Sequence, residues 1–250
     1  MPIVTSHLAG SFCWIELATT DLPAAHAFYT ALFGWSVRET PIGEGDVYMI
    51  FLKNDRDVGA MHGHTAGAPP NWLSYVTVDD VDATVAKAKE LGGSVAAGPM
   101  DVGNSGRMAV LLDNQGAALG VWKPNQHIGV GIRHETATLC WNELNAHDVD
   151  AGKRFYPPLF GWRTKESDEY TEWQLGENAV GGMFPWDGPA QVPAFWIPYF
   201  AVDDCDATTS QALSLGGKAH VSCMDIEHVG RFSVIVDPQG AAFAIIRLQM

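Results

Sequence analysis

Two glutamates sit in matching surroundings. Glu16 lies in Cys13-Trp14-Ile15-Glu16-Leu17, and Glu143 in Cys140-Trp141-Asn142-Glu143-Leu144. Each follows a tryptophan by two positions, in a stretch that reads as a β-strand. Strand alternation puts Cys13, Ile15 and Leu17 on one face and Trp14, Glu16 and Ala18 on the other. Where that second face lines a cavity, a carboxylate on it is desolvated, its pKa rises, and it can give or take a proton. Glu16 and Glu143 are therefore candidate catalytic acid–base residues, or clamps for a basic group on a ligand. The structural alternative is a carboxylate paired with Arg107 or Arg231, or bonded to a loop.

Other residues recur in pairs. Tyr48 and Tyr170 fall on matching middle strands. With Trp14 and Trp141 they could form flat walls around an aromatic ligand. In the same register Ile50 becomes Glu172 and Leu52 becomes Gln174, which makes the second site the more polar. Arg107 and Arg231 each follow a glycine and open a strand. They either pair with Asp101 and Asp225 or grip an anionic ligand. His62-Gly63-His64 is the closely spaced histidine pair, and alternation would put both side chains on one face. Its copy reads Phe184-Pro185-Trp186, and two histidines lacking a third ligand seldom hold a metal. His62 is thus only a remote metal candidate. None of the four cysteines (Cys13, Cys140, Cys205, Cys223) forms a CxxC, so they read as small buried hydrophobes.

The elements that must position these residues repeat within the chain. Cys-Trp-x-Glu-Leu, an Asp, and Phe-Tyr-x-x-Leu-Phe-Gly-Trp recur 127 positions apart, as Cys13/Cys140 and Trp35/Trp162 show. Val78-Asp79-Asp80, Leu91-Gly92-Gly93, Gly106-Arg107 and Gln115-Gly116-Ala117-Ala118 recur 124 positions on. Such a repeat defines two domains: residues 1–124, a linker at 125–137, and residues 138–250. Each domain reads as two βαβββ modules. Asp21 caps a helix with Pro23 in its first turn and Ala25, Phe28, Tyr29, Leu32 and Phe33 on its buried face. Asp79 or Asp80 caps the next helix. Pro157-Pro158 should shorten or kink the corresponding helix of the second repeat near Tyr156.

Bulk composition excludes several classes. The net charge of −14 repels phosphate backbones, so nucleic acid is not an expected partner. No run approaches the roughly 20 apolar residues of a membrane helix. The N-terminal stretch shows no signal-peptide pattern, and a cytoplasmic location is expected. No serine–histidine–aspartate arrangement, phosphate-binding loop or HExxH motif appears.

The opening strand with its Asp-Leu and Phe-Tyr-x-x-Leu-Phe-Gly-Trp, the Val-Asp-Asp before a helix ending in Leu-Gly-Gly, and the Asp-x-Gln-Gly before the last strand together resemble the vicinal oxygen chelate superfamily. That superfamily includes glyoxalase I, extradiol dioxygenases and bleomycin resistance proteins, and this chain is most similar to its tandem actinobacterial, glyoxalase-like members. The resemblance spans nearly the whole chain outside the linker. It implies an α+β fold in which each pair of modules makes a cup, an incomplete barrel of curved mixed sheet with helices outside. It also implies metal-ligand positions at Trp14, Leu73 and Gly120, and at Trp141, Ile197 and Ala244. None of these can coordinate an ion. The remaining position falls within residues 58–62, where only His62 has a donor.

The expectation is a protein that binds a small, aromatic molecule in the cup of each domain, using Trp14, Tyr48, Arg107, Trp141, Tyr170 and Arg231. No cofactor is expected, although a divalent metal is left open. The alternatives are a lyase, isomerase or oxygenase-type enzyme using Glu16 and Glu143 or a metal near His62, and a structural protein with filled cups. The two domains are expected to pack on each other, with homodimer formation left open.

Overall fold

The computed structural model describes residues 3–42, 46–63, 69–167 and 169–249. The first domain runs β1 (Phe12–Thr19), α1 (Leu22–Phe33), β2 (Ser36–Ile42), β3 (Asp46–Lys53) and β4 (Arg56–Gly63). It continues as β5 (Asn71–Thr77), α2 (Val81–Glu90), β6 (Ser94–Val102), β7 (Gly106–Leu112) and β8 (Ala118–Pro124). The second domain repeats the order as β9 (Leu139–Ala146), α3 (Val149–Phe160), β10 (Arg163–Glu166), β11 (Thr171–Leu175) and β12 (Asn178–Pro185). Then come β13 (Phe195–Ala201), α4 (Cys205–Ser214), β14 (Lys218–Ile226), β15 (Gly230–Val236) and β16 (Ala242–Leu248). The fold is α+β, with two repeated domains built from βαβββ modules.

Each domain forms one eight-stranded mixed sheet, ordered β2-β3-β4-β1-β5-β8-β7-β6 and β10-β11-β12-β9-β13-β16-β15-β14. Within a module the first and last strands run parallel, and the two modules join antiparallel through β1/β5 and β9/β13. Right-handed twist curls such a sheet, leaving a helix-bearing convex face and a concave one.

Local chemistry sets the helices. The Asp21 carboxylate accepts the Ala24 N–H at 3.0 Å, and Gly34, at φ 68°, closes α1 in the left-handed conformation. Asp80, not Asp79, caps α2, and Asp148 and Asp204 cap α3 and α4. The prolines do not shorten α3. It spans Val149–Phe160, as long as α1, with Pro157 and Pro158 inside it. Phe155, Tyr156 and Phe160 are buried in the core, and that packing outweighs the two lost backbone bonds.

The core belongs to both domains at once. One cluster joins Phe28, Tyr29 and Phe33 of α1 to Phe200, Phe243 and Ile245 of the second sheet. The reciprocal cluster joins Phe155, Tyr156 and Phe160 of α3 to Val76, Leu111 and Val121 of the first. The Tyr29 hydroxyl donates to Asp237 at 2.9 Å, and the Tyr156 hydroxyl to Asp113 at 2.8 Å. Trp72 and Trp196 in turn donate their indole N–H to those tyrosine oxygens, each at 2.9 Å. Trp35 Nε1 donates to the Ala137 carbonyl, and Trp162 Nε1 to that of Gly10. The repeated Phe-Tyr-x-x-Leu-Phe-Gly-Trp and Asp-x-Gln-Gly motifs are therefore two sides of one reciprocal interface.

Candidate functional site

The concave faces carry the residues singled out in the sequence. In the first domain Ile15 and Leu17 pack under α1, while Trp14 and Glu16 face the cup. Cys13 departs from the expected face. The β1/β5 register slips between Phe12 and Trp14, and this bulge puts Cys13 beside Trp14 and Val130. Burial pushes the Cys13 and Cys140 thiols up to about 12, so both are protonated hydrophobes.

Glu16 sits at the centre of a polar array. Its Oε2 accepts the Tyr48 hydroxyl at 2.6 Å and its Oε1 the Tyr75 hydroxyl at 2.8 Å. The Trp14 indole donates to the Tyr48 oxygen at 3.0 Å. His62 Nε2 lies 3.6 Å from Glu16 Oε1, and its Nδ1 lies 3.0 Å from the Gly63 carbonyl. Both ring nitrogens thus face acceptors, which is the geometry of an imidazolium. Burial opposes ionisation of Glu16, but His62, Tyr48 and Tyr75 together outweigh it and hold the carboxyl below its usual range. Contact with Glu16 raises the His62 pKa against partial burial. The Glu16 side chain remains 17% exposed and His62 31%, so both are reachable from solvent.

Glu143 occupies the same place in the second cup. Tyr199 donates to its Oε1 at 2.8 Å, and Trp141 donates to the Tyr170 oxygen at 2.8 Å. Phe184 stands where His62 stands in the first domain, so no imidazolium faces this carboxylate. Burial raises the Glu143 pKa, and the Tyr199 and Tyr170 hydroxyls offset that only in part. Glu172 and Gln174 do take the strand positions of Ile50 and Leu52, since Ile50 pairs with Ala60 and Glu172 with Gly182.

Tyr75 and Tyr199 were missed in the sequence, although they are repeat partners 124 positions apart. That pairing was the signal in the sequence; the structure sets Tyr75 opposite Trp14 across the antiparallel β1/β5 pair. His127 was missed as well. It leaves the linker to lie edge-on against Trp14, ring centroids 4.5 Å apart, and Trp14 is only 5% exposed. Among the described residues no ring covers Trp141 in this way, and it is half-buried.

The arginines leave the cups. Arg107 is held by Asp82 of α2 at 2.8 Å and by Asp101 at 3.0 Å, and Arg231 likewise by Asp206 and Asp225. The neighbouring Met108 faces the cup, so alternation turns Arg107 to the helix side. The ligand-anchoring expectation for both arginines gives way to the ion-pair one. His64, the second member of the histidine pair, lies outside the described residues.

A family model, the glyoxalase/bleomycin resistance protein/dioxygenase superfamily, matches residues 11–121. CFP32 of Mycobacterium tuberculosis, provisionally named a glyoxylase, is 40% identical over 257 residues, 99% of this chain and 98% of that protein. The chain belongs to this superfamily. The anthracycline biosynthesis protein DnrV of Streptomyces peucetius is 31% identical over 98% of this chain and 96% of its own length. The Mn(II)-bound glyoxalase from Novosphingobium aromaticivorans shares the fold, with a TM-score of 0.68 at 15% identity over 96% of this chain and 83% of that one. Of the positions at which the superfamily resemblance places metal ligands, Trp14, Leu73, Trp141, Ile197 and Ala244 carry indole or hydrocarbon side chains, Gly120 carries none, and His62 is the one donor. At Gly120 there is also no room for a ligand: a Cβ would lie 2.1 Å from the Tyr75 ring. Among the described residues no three His, Cys, Asp or Glu side chains converge as a metal site. No helix among them is long and apolar enough to cross a membrane.

Proposed function

We propose that the protein binds small, planar aromatic molecules in its cups, without the metal used by the superfamily's metal-dependent members. The observation that carries this reading is the Trp–Tyr–Glu–Tyr array built into both concave faces: Trp14, Tyr48, Glu16 and Tyr75, and Trp141, Tyr170, Glu143 and Tyr199. Aromatic walls supply contact area, and a few convergent polar groups orient the ligand. The residues in the ligand positions do not fit a divalent ion, because Trp14, Leu73 and Gly120 offer no oxygen, sulfur or imidazole donor and His62 alone cannot hold one. The relatives named for anthracycline biosynthesis fit a planar aromatic ligand.

The Glu16–His62 contact favours a second reading, proton transfer in the first cup. Glu16 would act as base toward an acidic O–H or C–H of the bound molecule, with His62 stabilising the charge that moves. Glu143 would serve as the corresponding acid in the second cup.

Titration of the full-length protein with naphthols and hydroxyanthraquinones, followed by tryptophan fluorescence, tests the binding reading. Saturable quenching that survives exhaustive chelator treatment is expected. Absence of saturable quenching overturns the reading, and its loss on chelation, restored by a divalent ion, overturns the metal-free part. Slow conversion of a bound compound, abolished in Glu16→Gln, would select the catalytic reading.

A further inference from the structure

The two cups differ at the carboxylate. In the first, an ionisable side chain supplied by the chain, the His62 imidazole, lies 3.6 Å from Glu16. In the second, Phe184 fills that strand position and is 41% exposed. Glu143 keeps its tyrosine donor, but among the described residues no side-chain cation pairs with it. A buried carboxylate without a positive partner is costly to ionise. A ligand that brings its own cation removes that cost.

Three further differences point the same way. Glu172 and Glu143 lie in one row across three strands, and the residue between them is Gly182, which adds no side chain to the floor. In the first cup that row reads Ile50, Ala60, Glu16. A Cβ at position 182 would lie 2.0 Å from the Tyr170 hydroxyl oxygen, so Tyr170 crosses directly over the glycine, a path that Ala60 denies to Tyr48 in the first cup. Lastly, Trp141 is half-buried, whereas Trp14 is buried with His127 against it.

We propose that the second cup is a site for an aromatic amine. The protonated nitrogen sits against Glu143, where His62 sits in the first cup, and the ring packs among Trp141, Tyr170 and Phe184. An ammonium near electron-rich ring faces gains a cation–π attraction as well as the ion pair. Glu172 is bound by Gln174 at 2.8 Å and by the Lys165 ammonium at 3.2 Å, so its charge is already compensated and Glu143 is the carboxylate left for the amine. This inference rests on the aromatic-binding reading above and specifies the ligand class for one of its two cups.

The test compares 2-phenylethylamine with its neutral isostere 2-phenylethanol, by calorimetric titration of the full-length protein at neutral pH. The amine is expected to bind at least ten-fold more tightly. Glu143→Gln should erase that preference while the alcohol affinity stays within about three-fold, with the melting temperature reporting that the variant is folded. Phe184→His, at an exposed position, installs the imidazolium of the first cup and should weaken amine binding about ten-fold. Equal binding of amine and alcohol overturns the inference and leaves the aromatic-binding reading standing, as does a preference that survives Glu143→Gln. Failure of both probes to bind, together with the naphthols, overturns both.

Discussion

Glu16 and Glu143 are the same residue in the same strand, yet their surroundings give them opposite tendencies. The Glu16 carboxyl is held low and the Glu143 carboxyl high, and the difference is one neighbour, His62 or Phe184. A lowered carboxyl contributes stability above the ordinary glutamate value, and that contribution is lost as pH falls through the lowered one. A raised carboxyl does the reverse: its contribution is complete below the ordinary value and lost as pH rises through the raised one. His62, also raised, contributes below the ordinary histidine value and loses its share as pH rises through its own. Glu16→Gln is therefore expected to destabilise at neutral pH by about 2 kcal/mol, the usual worth of a charge-assisted hydrogen bond. Glu143→Gln should be neutral at pH 4 and progressively stabilising toward pH 8. Thermal melts of both variants across that range check the signs. A fall in stability for Glu143→Gln at pH 8 would mean that a cation faces Glu143 in the folded protein.

Some positions were legible in the strands and helices, and others were overridden. The faces of Trp14 and Glu16 followed from alternation, but Cys13 did not, because a bulge resets the count at the start of β1. A bulge depends on the pairing strand, and pairing strands are distant in sequence. The α3 prolines are the other override. Pro158 is exposed and denies its N–H to the Arg154 carbonyl, so Pro158→Ala should remove a helix penalty without losing packing. A helix-interior proline costs about 3 kcal/mol relative to alanine, and proline returns about 1 kcal/mol by stiffening the unfolded chain. A net gain of about 2 kcal/mol in chemical denaturation is expected. No gain would mean that the helix is already distorted around the proline.

The two domains share their cores through the tyrosine–aspartate exchange. The carboxylate of Asp237 also accepts the backbone N–H groups of Gln239, Gly240 and Ala241, so the Tyr29 hydroxyl meets an anchored acceptor. Tyr29→Phe leaves the buried Trp72 indole without its acceptor and one Asp237 oxygen without its donor. Unsatisfied buried groups cost about 1–3 kcal/mol each, so a loss of about 2–6 kcal/mol is expected. Because the bond crosses the interface, unfolding of Tyr29→Phe should remain a single transition at lower temperature in calorimetry. Two separated transitions would show that the halves are stable independently.

The repeat, the module order, the capping residues and the facing of both glutamates were written in the linear pattern. Each depends on spacing within a few residues or on self-similarity, and both survive without three-dimensional knowledge. Pattern alone could not say why the motifs recur. Tyr29 and Asp237 stand 208 positions apart, and only the folded chain brings them together. Nor could it pair Glu16 with His62, cover Trp14 with His127, or turn Arg107 away from the cup. Those outcomes depend on register between strands and on which face of a curved sheet a linker crosses, and tertiary packing decides both.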